Sequence, residues 1–294
     1  MAEQTISDRL RRVAGKNNSL VKELRRAFHR GELTEDGSCA IEGLRIVEEA
    51  IRSGLKFRAV FFSESAEVKA NRVLPQIGSH VETLVLPDAL FGATVPSETP
   101  QGIAALVRMP SMTLDKALGY GSNHSDLSKY AKRSTGTAPA DGLPQPRTFV
   151  VVVGLQDPGN LGTLIRSAEA FGAAGVILAG PNVSAFNSKA VRASAGSIFR
   201  VPVVRAETGT VISRLREHGF RLVATSSHNG TRLDEAQLTG PTALFIGSEG
   251  GGIPRELLGG MDQVVVIPHS ERVESLNAGV AASIILYEAA RQKK

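Results

Sequence analysis

Cysteine is all but missing from this chain. Cys39 is the only one among 294 residues, which excludes a disulfide within the chain and any cysteine-based zinc cage. The six histidines are scattered without tight ligand spacing, so no metal is expected. Long apolar runs are absent too. No stretch reaches the ~18–20 residues of a membrane span, and the opening MAEQTISDRLRR has no apolar segment of a secretory leader. A cytoplasmic protein with no membrane association is expected. Two signatures of nucleotide chemistry are also missing. Gly154, Gly159 and Gly162 fail the G-x-G-x-x-G spacing of a dinucleotide site, which leaves a nicotinamide oxidoreductase poorly supported. No G-K-[ST] follows the later glycine cluster, which excludes an ordinary phosphate-cradling hydrolase loop. No repeat of fixed period is present.

What the chain does have is enough apolar residue, 42%, to fill the cores of two domains. A net charge of +5 and a pI near 9.5 favour a polyanionic partner. Positive charge is dense from residue 5 to about residue 30, where Arg9, Arg11, Arg12, Lys16, Lys22, Arg25, Arg26 and Arg30 stand against Asp8 and Glu23. Residues 1–35 read as a basic, interrupted helical arm, either a solvated face or a segment that neutralises phosphates.

From Ser38 strands alternate with helices: CAIEG, LRIVEEAIRSG, FRAVFFSE, a helix near Ala66 to Ile77, VETLVLP and GIAALVRM. This predicts a small α/β domain over 36–110. Residues 111–146 are rich in Ser, Gly, Thr and Pro and predict a flexible linker. The second domain, 147–294, opens with RTFVVVVGL, a strand apolar enough for both faces of a parallel sheet. GVILAG, RVPVVRA, RLVATSS, TALFIGSE and QVVVIPH follow with helical crossovers, six strands in all, predicting an open α/β sheet.

Three loops of this second domain carry polar groups just after strands, where open parallel sheets bind ligands. In the first, Asn160 is placed to cap a helix whose apolar stripe runs through Leu161, Leu164, Ile165, Ala168 and Phe171, with Arg166 on the exposed side beside Thr163 and Glu169. In the second, Glu249 stands among glycines from Gly247 to Gly252. A carboxylate there disfavours an anion and suits a ligand with hydroxyl or amino donors, or an arginine such as Arg166; a flexible turn is the plainer alternative. In the third, Ser275 and Asn277 open a last helix with no charge until Glu288, expected to be packed inside the fold or against a second copy.

The trio N-L-G-T-L-I-R at 160–166, I-G-S-E-G-G-G-I at 246–253 and V-V-I-P-H-S…E-S-L-N-A-G-V-A at 265–281 resembles the three motifs of the SpoU or TrmH branch of the SPOUT RNA methyltransferases. E-G-L-R-I-V-E-E-A at 42–50 and P-Q-G-I-A-A at 100–105 resemble that family's amino-terminal substrate-binding domain. The resemblance covers most of the chain; the long linker is where it departs. It implies an α/β fold with a deep trefoil knot in the carboxy-terminal parallel-sheet domain and a small amino-terminal α/β RNA-binding domain. It also implies a homodimer that moves a methyl group from S-adenosylmethionine to a ribose 2′-hydroxyl of structured RNA. The two-domain layout resembles enzymes of ribosomal RNA.

By motif position, Gly247, Ile267 and Leu276 would hold the adenosyl part of the cofactor. Asn160, Arg166, Glu249, Ser275 and Asn277 would form the polar cluster at the reacting centre. The resemblance assigns Arg166 to activating the hydroxyl; because arginine gives up its proton with difficulty, clamping the adjoining phosphate and stabilising the alkoxide is the competing role. A non-catalytic RNA-binding or ribosome-assembly protein that keeps the fold is the alternative class.

Overall fold

The computed structural model describes residues 9–119, 147–270 and 272–293. By their contacts the residues form two units. Met1–Ser111 with Ser184–Phe199 make the first, and Met112–Val183 with Arg200–Lys294 the second.

The first unit runs β1 (Arg11–Arg12), α1 (Ser19–Arg30), β2 (Ser38–Glu42), α2 (Leu44–Arg52), β3 (Lys56–Ser63), α3 (Ala70–Val73), β4 (Glu82–Leu86), α4 (Asp88–Gly92) and β5 (Ile103–Arg108). Its sheet has the order β1-β4-β3-β5-β2, with β5 antiparallel to both neighbours. The helix expected from Ala66 to Ile77 is broken instead, with one α turn between two 3₁₀ stretches, Glu64–Lys69 and Leu74–Gln76. Pro75 lies in the second of these and cannot donate to an α turn.

Part of the basic start, expected to be an interrupted helical arm, is a strand. Arg11 and Arg12 form a strand parallel to β4, and the Arg9 guanidinium donates to the carbonyls of Leu74 (2.7 Å) and Gly78 (2.9 Å). The free edge of β4 offers backbone partners that a solvated helix would lack, so pairing wins there. Helical structure resumes at Asn18, whose Oδ1 accepts from the N–H groups of Leu20 and Val21. Residues 1–8 lie outside the described residues.

The second unit runs α5 (Leu114–Leu118), β6 (Thr148–Val153), α6 (Pro158–Ala170), β7 (Gly175–Ala179), then, after α7 (Ser188–Ala193), β8 (Val203–Ala206), α8 (Thr208–Glu217), β9 (Arg221–Ser226), β10 (Thr231–Arg232), β11 (Thr242–Ile246), α9 (Arg255–Leu258), β12 (Gln263–Val266) and α10 (Ala278–Arg291). Seven parallel strands stand in the order β10-β12-β9-β11-β6-β7-β8, one more than expected, because Thr231–Arg232 adds a short strand beside β12. Every residue of β6 is buried, as its unbroken apolar run predicts.

Two boundaries differ from the expectation. Leu114–Leu118, assigned to the linker, is a helix whose Leu114, Ala117 and Leu118 join the core with Phe149 and Ile177. Its N-cap Thr113 and left-handed Gly119 are the signals that the polar surroundings hid. The remainder of the expected linker, 120–146, lies outside the described residues. Ser184–Phe199, expected in the second domain, packs with the first unit. Ala195 and Gly196 both adopt positive φ (50° and 93°), and a Cβ at Gly196 would come 2.8 Å from that of Glu49.

Among the described residues no helix is long and apolar enough to cross a membrane. The closing helix α10 is covered on one side only. It lies along α6, where the Ser167 and Ser283 hydroxyls meet at 2.7 Å and Tyr287 packs edge-on against Phe171, while Val280, Ile284 and much of Tyr287 stay exposed.

Candidate active site

The site follows from strand order. β6, β11, β9 and β12 are neighbours and parallel, so the loops that leave their carboxyl ends emerge along one edge of the sheet. All three polar loops, at 154–160, 247–254 and 267–277, belong to these strands.

The first loop turns into α6 through Asp157, whose carboxylate accepts from the N–H of Asn160 at 2.8 Å, with Pro158 at the first helical position. The N-cap is therefore Asp157 and not Asn160. Freed from capping, the Asn160 side chain points to the other loops. Leu161, Leu164 and Ile165 are fully buried and pin the helix, each contributing on the order of 2 kcal/mol through lost apolar exposure.

The second loop is a tight hairpin in which Ser248 and Gly252 exchange backbone hydrogen bonds at 3.2 and 2.9 Å. A Cβ on Gly247 would lie 2.1 Å from the carbonyl carbon of Gly252, so only glycine closes this turn. Gly250 and Gly252 have open space where a Cβ would point.

In the third loop Asn277 is the N-cap of α10, its Oδ1 accepting from Gly279 (3.0 Å) and Val280 (3.2 Å). Its Nδ2 donates to Asn160 Oδ1 at 2.8 Å, and Asn160 Nδ2 donates in turn to Glu249 Oε1. One residue from each loop thus forms a continuous chain, Asn277 to Asn160 to Glu249. Glu249 takes an asparagine and not Arg166 as its partner.

Beside this chain lies a cavity of about 430 Å³. Gly247, Glu249, Ile267, Ser275 and Leu276 all line it, together with Ile246, Ile253 and Ala281. Asn160 and Asn277 stand outside its walls and reach it through Glu249. Arg166 lines neither. It is exposed on α6, ~9 Å along the axis from Asn160, and makes no hydrogen bond or ion pair among the described residues. Glu169, expected beside it on the solvated side, is half-buried and paired with Arg200.

Sequence reasoning missed a fourth contributor. The end of β9 supplies Thr225, Ser226 and His228 to the cavity, and Arg255, His269 and Glu274 complete its polar lining. The H-N-G run after RLVATSS was the available signal, a polar turn after an apolar strand like the other three. His269 Nδ1 donates to the Ile267 carbonyl at 2.7 Å and so braces the third loop.

A ligand cavity at the carboxyl edge of a parallel sheet, walled by glycine-rich and asparagine-bearing loops, defines an α/β enzyme-like domain. The SpoU rRNA Methylase family matches residues 147–287, and the MRM3-like substrate binding domain matches residues 18–105. A relative named 23S rRNA (uridine(2479)-2′-O)-methyltransferase from Streptomyces viridochromogenes is 30% identical over 96% of this chain and 93% of its own. This chain belongs to the SpoU rRNA methylase family, in its two-domain form. It is also similar to the 23S rRNA (guanosine(2553)-2′-O)-methyltransferase RlmP of Bacillus subtilis, at 29% identity over 95% of this chain and 98% of that one. A solved AdoMet-bound rRNA methyltransferase from Sinorhizobium meliloti superposes with a TM-score of 0.76 at 27% identity, covering 96% and 98% of the two chains.

Proposed function

We propose that this protein methylates a ribose 2′-hydroxyl of ribosomal RNA with S-adenosylmethionine, as a cytoplasmic homodimer. The observation that carries the reading is the chain Asn277–Asn160–Glu249 beside the cavity, one residue from each motif loop.

The residues present fit the methyl donor. A cavity of about 430 Å³ falls within the roughly 300–1,000 Å³ of small-molecule sites. Ile246, Ile267 and Leu276 offer apolar walls to a flat base, Gly250 and Gly252 leave their backbone open to approach, and Glu249 and Glu274 complement a positive sulfur. When bound, S-adenosylmethionine supplies a methyl group activated by its sulfonium.

The remaining work falls to the chain itself. The backbone around Gly247, Ile267 and Leu276 would hold the adenosyl part. Glu249, kept in place by Asn160, and Ser275 at the cavity wall orient the ribose hydroxyl, which must meet the methyl in line. Arg166 is exposed and has no carboxylate partner among the described residues. A planar fork of donors so disposed suits the phosphate next to the target ribose and the charge that develops on its oxygen, with the hydroxyl proton passing to water.

Two features support the rest of the reading. The exposed Val280, Ile284 and Tyr287 on α10 give an apolar face for a second copy. The last strand, β12, lies between the earlier β9 and β10, an order that suits a knotted chain. Intact polar residues in all three loops favour catalysis over a purely RNA-binding role.

The test is methylation of ribosomal RNA from cells lacking the gene, using methyl-labelled S-adenosylmethionine, with mapping of alkali-resistant linkages. One new 2′-O-methylated position is expected. Absence of both incorporation and calorimetric donor binding would overturn the reading. Sedimentation should give a dimer, and a monomer at micromolar concentration would remove that part.

A further inference from the structure

We infer that the outer face of α1 is a docking surface for an RNA phosphodiester backbone, read by charge and not by base sequence. It belongs to the first unit, shares no residue with the cavity lining, and rests on RNA being the substrate.

The helix has two sharply different sides. Val21, Leu24, Ala27 and Phe28 are buried. The exposed residues are Ser19, Lys22, Arg25, Arg26, His29 and Arg30, with no apolar side chain among them. Counted from Lys22 the basic positions fall at 3, 4, 7 and 8, which places all of them on one stripe about 12 Å long.

Pairing separates this stripe from an ordinary solvated face. Elsewhere in the unit several arginines stand against acids: Arg12 with Glu67 (2.7 Å), Arg52 with Glu49 (2.6 Å), and Arg108 with Asp36 (3.0 Å). On α1 the single acid, Glu23, turns away to Arg58 at 2.5 Å. Arg26 reaches only Glu35, at 3.7 Å, whose side chain is 93% exposed. Lys22, Arg25 and Arg30 have no carboxylate partner among the described residues. Like charges at helical spacing destabilise the helix they sit on, although His29 and Arg30 gain from the carboxyl-terminal dipole. A face kept only for solubility would mix the signs.

The occupant follows from what the face lacks. Protein interfaces centre on aromatic or aliphatic anchors, and this stripe exposes none. Guanidinium forks at regular spacing match phosphate oxygens, and phosphate contacts position a nucleic acid without specifying sequence.

The decisive variant is K22Q/R25Q/R30Q, since glutamine keeps helix propensity. Binding of deproteinised ribosomal RNA is measured without methyl donor across roughly 50–200 mM salt. The slope of log affinity against log salt should fall by about 2–3, about one per lost phosphate contact, with at least about tenfold weaker binding. The control R52Q/R72Q/R108Q removes the same charge and should lower the slope by less than about 1. Restoring Lys22 and Arg30 and carrying only Arg25→Lys should return most of the affinity. A wild-type slope in a triple variant with an unchanged melting curve overturns the inference. So does unchanged RNA binding with lost binding to polyglutamate, which assigns the face to an acidic protein. RNA binding through the stripe without any methyl transfer would sink the proposed activity and leave this surface standing.

Discussion

Asn277 donates from Nδ2 to Asn160 Oδ1 at 2.8 Å across 117 residues of sequence, while its own Oδ1 caps α10. One amide thus fastens a helix with its oxygen and a neighbouring motif with its nitrogen. The two jobs separate by substitution. Asn277→Asp keeps a capping oxygen and loses the donor, and is expected to melt within about 0.5 kcal/mol of wild type while losing about tenfold or more in turnover. Asn277→Ala should lose about 1 kcal/mol of stability in addition. Denaturant melts and single-turnover methylation check both; full activity in Asn277→Asp would show that the bond to Asn160 has no catalytic consequence.

Arg166 is exposed and unpartnered among the described residues, so its removal costs the fold little. Arg166→Ala should retain donor affinity and melt within about 0.5 kcal/mol of wild type, while methylation falls by at least about 100-fold. Arg166→Lys, which keeps charge but not the fork, should recover only part. Near-normal turnover in Arg166→Ala would take this residue out of the mechanism.

Gly247 closes its hairpin where a methyl group would meet backbone at 2.1 Å. Gly247→Ala must displace the turn that carries Glu249. The expected result is loss of calorimetric donor binding with the far-ultraviolet dichroism of the wild type; unchanged affinity would mean that the hairpin does not shape the cavity.

Asp36 gives the first unit an acid-sensitive point. Burial alone would raise its pKa, but hydrogen bonds from Thr34, Arg108 and Ser38, with the charge of Arg58, override that and hold the carboxyl far below the usual range. A carboxyl depressed in the folded state stabilises it above the unfolded value, near pH ~4, and this is lost as pH falls toward the folded value. Asp36→Asn should therefore destabilise the protein at pH 7, and the difference from wild type should shrink below about pH 4. A difference constant from pH 3 to pH 7 would contradict this linkage.

How far the sequence disclosed this structure depends on whether a signal was local. The unbroken apolar run of β6 and the stripe Leu161, Leu164, Ile165 state their environments directly, and both are buried as expected. The convergence of three loops was also readable, because strands that alternate with helices must be parallel and place their ends together. Asn160 was misassigned as a cap because Asp157 offers the same chemistry three residues earlier and Pro158 settles the choice. Arg11 and Arg12 look helical by charge pattern, yet a distant strand edge decided their conformation. The cavity's fourth wall at Thr225 to His228 was missed for a related reason: the position of β9 between β11 and β12 is a fact of the sheet, not of its own residues.

The excursion of Ser184–Phe199 bears on how this protein is dissected. A polypeptide that visits its first unit twice cannot be severed at one peptide bond into two whole halves. A fragment ending near residue 111 would leave Glu49 without Gly196 against it, and a fragment starting near 147 would carry sixteen residues whose packing surface had been cut away. Separating RNA recognition from catalysis in this protein therefore calls for point substitutions, and activity lost on truncation would report the missing segment before it reported either function.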